Sequence, residues 1–173
     1  ATERINRGGD RMQPVGIRMT SGIQLAEGSG ELRLQSSDPK EQPFLDYRYL
    51  QHEFDRQRLR ETLRICVALG NDPAFKDIIE ERIEPTDEEL AADEALDEYL
   101  YREVTTQQHI SCTCKMGPST DPMAVVDQHG KVHGLEGLRV ADASIMPNCV
   151  RANTNVTTMM IGERVADWIK QGK

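Results

Sequence analysis

The chain has 173 residues, a formal net charge of −8, and hydrophobic and aromatic fractions of 38% and 5%. That length suits one compact domain with a mainly aliphatic core. The acidity excludes a phosphate-backbone partner, which needs clustered Lys and Arg, and no run reaches the roughly 18 apolar residues of a membrane-spanning helix. Four cysteines, Cys66, Cys112, Cys114 and Cys149, are few for a disulfide scaffold and suit a reduced, cytoplasmic setting.

Residues 1–14, ATERINRGGDRMQP, are polar, begin without Met and have no apolar stretch. They read as a flexible lead-in at a fragment boundary rather than as a signal peptide. Val15, Ile17 and Met19 alternate with Gly16, Arg18 and Thr20, and Ile23 and Leu25 extend the alternation. This predicts a half-buried strand. Gly28-Ser29-Gly30 turns the chain into a second alternating segment at Leu32 and Leu34, predicting an antiparallel hairpin that Ser36-Ser37-Asp38-Pro39 closes.

From about His52 the period changes. Leu59, Leu63, Cys66 and Val67 fall on one face of a helix ending at Gly70-Asn71. Asp72-Pro73 restarts a helix with Phe75, Ile78 and Ile79 as its apolar stripe. Thr86-x-x-Glu89 is a capping box that opens a third, strongly acidic helix carrying Leu90, Leu96, Tyr99 and Leu100. Its acidic run reads as a solvated face. Short strands follow at 124–127, 131–134 and 138–143, the first two joined by a turn at Gln128-His129-Gly130. A final amphipathic helix from about Asn155 to Lys170 is expected to bury Val156, Met159, Met160, Val165 and Ile169. The fold class is therefore α+β, an antiparallel sheet with packed helices.

Among the four histidines, His52, His129 and His133 read as structural or solvated, whereas His109 stands at a helix-to-loop junction in the dense segment HISCTCKMG (109–117). Two chemistries remain open there. His109, Cys112, Cys114, His129 and His133 give H-x2-C-x-C and H-x3-H, residue types that suit zinc although the C-x-C spacing does not. The other chemistry is proton transfer, for which imidazole, with an ordinary pKa of about 6.5, is the natural base. No C-x-x-C spacing supports thiol redox catalysis, and Ser111 and Ser144 lack the G-x-S-x-G setting of a serine hydrolase.

Three linked motifs, HISCTCKMG, VHGLEGLRVADASIMP (132–147) and RANTNVTTMMIGERVADWI (151–169), resemble in order the carboxy-terminal segment of the glucose-methanol-choline (GMC) family of flavin-dependent oxidoreductases. The resemblance is close over roughly residues 105–170 and looser over SGELRLQSSDP (29–39). It implies that His109 is the base of an alcohol oxidation that sends a hydride to flavin N5. It further implies that Asn153, asparagine as in the choline-oxidising branch where many members have a second histidine, orients the substrate oxygen.

The same resemblance brings Asp142 and Ala143 to the flavin pyrophosphate through backbone N–H groups, and the helix start at Thr154, Asn155 and Val156 to the flavin ring. A helix dipole there would favour the reduced anion by about 0.3–2 kcal/mol. Residues 15–134 then belong to a substrate domain, and residues 135–173 form a strand and helix returning to the FAD-binding α/β domain. No G-x-G-x-x-G occurs in the chain, so the amino-terminal FAD-binding portion is an expected partner, together with an alcohol substrate. The chain alone is expected to be inactive, not to retain FAD, and to be open to self-association. The alternative is a non-enzymatic module, zinc-stabilised or acidic and interaction-forming.

Overall fold

The computed structural model describes residues 16–173. The elements in chain order are β1 (Glu31–Arg33), β2 (Phe44–Asp46), α1 (Glu53–Gly70), α2 (Asp87–Leu90), α3 (Asp93–Glu103) and α4 (Asn155–Lys170), with 3-10 turns at Pro73–Phe75 and Ala143–Ile145. This is the expected α+β class. The described residues fall into two compact units, 16–23 with Arg48–Val104, and Gln24–Tyr47 with Thr105–Lys173.

The first unit is helical. Leu50, Leu59 and Leu100 form its buried core, with Ile23, Leu63, Tyr99 and Val104 packed around them. The capping box is present in both directions: the Thr86 hydroxyl accepts from the Glu89 N–H at 3.3 Å and the Glu89 carboxylate from the Thr86 N–H at 2.8 Å. The helix it opens breaks at Ala91-Ala92, so the expected third helix is two, α2 and α3. The acidic face of α3 is not simply solvated. Arg60 of α1, 7% exposed, donates to both oxygens of Asp97 at 2.8 Å and to Glu53 at 2.7 Å, while Arg64 pairs with Asp93. The hydrogen bonds that it donates to Glu53 and Asp97 hold the Arg60 guanidinium more firmly protonated than usual.

Two local expectations are corrected in this unit and at its edge. Residues 16–25 form no ladder strand: only an isolated bridge involves Gly16, Leu25 has φ 53 and Ile17 is more than half exposed. Alternation specifies a face and not a pairing partner. Residues 1–14 and Val15 lie outside the described residues. The segment after Asp72 is also not a helix. The Asp72 carboxylate caps the Ala74 N–H at 2.8 Å, but only the single 3-10 turn Pro73–Phe75 follows and Ile78 is exposed.

In the second unit the hairpin pairs β1 with β2, in the register Glu31↔Asp46, Leu32↔Leu45 and Arg33↔Phe44. Ser36-Ser37-Asp38-Pro39 therefore lies inside the loop between these strands and does not close a hairpin with 15–25. Gly30 belongs at this edge because a Cβ there would stand 2.3 Å from the Asp46 carbonyl oxygen. Further along, Val126 bridges Val132 antiparallel across the turn at 128–130, and Lys131 bridges Arg139. The 138–143 segment is thus a single bridge and not a strand.

The core of this unit is Val126, Ile145, Met146, Ile161 and Val165. The α4 boundaries match the expected helix, but its buried face does not. Ile161 and Val165 are buried and Trp168 packs partly against the same core, whereas Val156, Met159, Met160 and Ile169 are each more than half exposed. The helix has apolar residues on two faces, and only the 161/165/168 stripe meets the core of this unit. Among the described residues no helix is long and apolar enough to cross a membrane.

Candidate active site

His109 lies in the extended stretch after α3, half-buried. The residues around it occupy the left-handed region, with φ 62 at Gln108 and 71 at Cys112. Such conformations cost a non-glycine residue of order 1–3 kcal/mol and persist only where neighbours impose them. The neighbours are identifiable. The Gln108 N–H donates to the Thr106 hydroxyl at 2.9 Å, and Cys112, Cys114 and Met116 donate their N–H groups to the carbonyls of Ala143, Ser144 and Ile145 at 3.2, 2.9 and 2.9 Å. The His109 segment is thereby laced to the 3-10 turn. That turn is capped by Asp142, whose carboxylate accepts from the Ser144 N–H at 2.8 Å and the Ser144 hydroxyl at 2.5 Å.

The second tie runs to α4. His109 Nδ1 lies 3.1 Å from the Thr154 hydroxyl oxygen. Thr154 is 7% exposed and stands immediately before the first helical residue. An N-cap threonine ordinarily takes an extended backbone so that its oxygen can accept from the first-turn N–H groups. Thr154 instead has φ −74 and ψ −16 and makes no side-chain cap. Its hydroxyl is committed to His109, and its carbonyl accepts from the Thr158 N–H and hydroxyl at 2.9 and 2.8 Å.

The predicted site residues gather accordingly. His109 and Thr154 touch, Asn153 adjoins Thr154 and is exposed, Asn155 and Val156 form the exposed first turn of α4, and Asp142-Ala143 sits on the turn bonded to the His109 segment. Sequence reasoning placed Thr154 only among the cofactor contacts. Its bond to His109 joins residues 45 apart, and no local pattern signals it. Two other histidines have structural partners: His133 Nε2 donates to the Gly117 carbonyl at 3.0 Å, and His129 meets Trp168 edge-on with ring centroids 5.1 Å apart. Among the described residues no group of three or more His, Cys, Asp and Glu could hold a metal ion, and the four cysteines are unbridged.

Two open clefts of about 540 and 560 Å³ lie elsewhere, one beside Met116, Asp127 and His133, the other beside Leu138, Arg139 and Ile169. Neither includes His109 or Asn153. The chemistry of the side chains, and not concavity, singles out the candidate site.

Residues 26–162 match the carboxy-terminal family model described as GMC oxidoreductase. The oxygen-dependent choline dehydrogenase of Cronobacter sakazakii is 41% identical over 163 residues, 94% of this chain but 29% of the relative. That of an Escherichia coli strain is likewise 41% identical over 94% of this chain and 29% of its own length. The chain thus spans less than a third of the curated relatives that it matches. Among solved structures, a formate oxidase of Aspergillus oryzae, solved for the effect of a mutation on FAD modification, superposes with a TM-score of 0.77 at 30% identity, covering 85% of this chain and 25% of its own. A fungal aryl-alcohol oxidase superposes with a TM-score of 0.70 at 34% identity, covering 83% and 23%. With the family model matched across most of its length and its fold shared with these oxidases, the chain belongs to the GMC oxidoreductase family.

Proposed function

We propose that this chain is the carboxy-terminal part of an FAD-dependent, choline dehydrogenase-like enzyme that oxidises the CH–OH group of an alcohol, with His109 as the base and Asn153 orienting the substrate oxygen. The observation that supports the reading is the His109–Thr154 contact at 3.1 Å, which ties the imidazole to the residue that follows Asn153 at the start of α4. Nδ1 is occupied, so Nε2 is the nitrogen left to take a proton. The Asn153 amide offers both a donor and an acceptor to a hydroxyl or carbonyl oxygen without competing for that proton.

The residues present fit a flavin. With the Thr154 hydroxyl turned to His109, the N–H groups of Asn155, Val156 and Thr157 have no acceptor among the described residues. Three aligned donors at the positive end of a helix dipole suit the anionic edge of an isoalloxazine ring. The Asp142 carboxylate is spent on Ser144, which supports pyrophosphate contact through the backbone at Asp142-Ala143 and not through the side chain. When bound, FAD would accept the hydride from the substrate carbon.

In the whole enzyme, residues 15–134 belong to the substrate domain and residues 135–173 return to the flavin domain. The exposed Val156, Met159 and Met160 support coverage of that face by the amino-terminal portion, without which the chain is inactive, loses FAD and self-associates. The unbridged cysteines support a cytoplasmic setting.

The test is the visible spectrum of the complete enzyme before and after anaerobic addition of choline and other alcohols, with this chain run beside it. Flavin bands that bleach in the long form and are absent in the short one are expected. A folded but colourless long form refutes the reading. His109→Ala in the complete enzyme should slow flavin reduction by about 10²- to 10⁴-fold.

A further inference from the structure

We infer that Thr154 is a positioning residue that sets the tautomer of His109: its hydroxyl accepts the Nδ1 proton and so keeps the Nε2 lone pair turned to the substrate. This rests on the assignment of His109 as the base. Which imidazole nitrogen carries the proton is decided by the partner that the other nitrogen finds. In water the neutral ring favours the proton on Nε2, the tautomer that cannot abstract a proton through Nε2. A base acting through that nitrogen therefore needs an acceptor at Nδ1, and among the described residues the Thr154 oxygen stands within reach at 3.1 Å.

The surroundings make this hydroxyl a committed partner. Thr154 is 7% exposed, and its helical backbone keeps its side chain out of the usual capping bond. The Thr154 carbonyl, with the Thr158 N–H and hydroxyl both upon it, anchors the residue to the first turn of α4. The backbone on either side of His109 is fixed by the left-handed Gln108 and Cys112. In the reaction the substrate O–H bond breaks and an Nε2–H bond forms. The Nδ1–H···O bond is the same before and after, so the imidazolium appears with no reorganisation of its partner. Were the hydroxyl donating to Nδ1 instead, it would have to rotate at the moment of proton transfer.

The test compares Thr154→Val, which keeps the shape and removes the hydroxyl, with Thr154→Ser, which restores it. Each is made in the complete flavoenzyme labelled with ¹⁵N-histidine, and the His109 signal is identified by its loss in His109→Ala. In the wild type, long-range ¹H–¹⁵N correlation should show the neutral ring protonated on Nδ1. Thr154→Val should move the proton to Nε2 and slow flavin reduction by about 10- to 10²-fold, and Thr154→Ser should restore both. A wild-type ring protonated on Nε2, or a Thr154→Val enzyme with unchanged tautomer and rate, overturns the inference. An impaired His109→Ala beside an unimpaired Thr154→Val removes the role of Thr154 alone. A His109→Ala enzyme that reduces its flavin normally removes the base, and with it the proposed mechanism.

Discussion

Gly130 closes the turn between Val126 and Val132, and replacing it with alanine should loosen the second unit. It is buried with φ 76, and a Cβ there would lie 2.6 Å from the Val140 carbonyl oxygen and 3.5 Å from Val165 Cγ2. The backbone penalty for a left-handed alanine is about 1–2 kcal/mol. The contact adds a second cost, because Val140 must retreat from its 2.9 Å bond to the Gly130 carbonyl, forfeiting about 1 kcal/mol. The sum is about 2–3 kcal/mol. Gly137 is the control: its φ is 74, but a Cβ there meets nothing within 4 Å, so Gly137→Ala carries only the backbone term. Trp168, the only tryptophan, packs against this core and reports urea unfolding by its fluorescence. Equal destabilisation by the two substitutions would refute the steric part of the reasoning, and no destabilisation by either would refute the whole.

Two further outcomes concern the helical unit. Thr86→Ala removes one arm of the capping box and should cost about 1 kcal/mol, read as a lower urea midpoint by far-UV circular dichroism; an unchanged midpoint would show the α2 start to be held by packing. Acid should weaken the same unit. The Thr86 N–H and Arg102 hold the Glu89 carboxyl below its ordinary 4.5, and Arg64 holds Asp93 below its ordinary 3.8. Groups with depressed folded values contribute stability in full above the ordinary value and lose it as pH falls through the folded one. The melting temperature should therefore hold near pH 6 and drop as pH falls from 4.5 towards 3, and a flat profile across that window would contradict the assignment.

What the sequence disclosed depended on the range of the interaction. The Thr86/Glu89 box and the α1 and α4 boundaries were legible because caps and periodicity act within one or two turns. The partner of Leu32 was not: alternation at 15–25 and at 32–34 implied that these segments pair, whereas the ladder forms with Phe44–Asp46. On α4, Val156, Met159 and Met160 are spaced as plausibly as Ile161, Val165 and Trp168, and a helix with two apolar faces does not itself declare which one meets the nearest core. The acidic run in α3 looked solvated because its counter-charges, Arg60 and Arg64, lie on another helix. At the candidate site, His109 and Asn153 were proposed from linked family motifs, while the bond joining His109 to Thr154 spans the whole excursion between them.

The three backbone bonds from Cys112, Cys114 and Met116 to Ala143, Ser144 and Ile145 also separate what this region can vary from what it cannot. The chain leaves the His109 segment at Met116 and returns beside it at Ala143; the loop at 118–123 is mostly exposed and is tied to that segment through the Asp121–Lys115 ion pair at 3.0 Å, so a change of its length that keeps Asp121 in place leaves the three bonds intact. Deleting one residue between Cys112 and Met116 would instead put at least one of the three donors out of step with its acceptor. Loop exchange can thus reshape the neighbouring surface while the spacing between the His109 segment and the Asp142-Ala143 turn stays fixed.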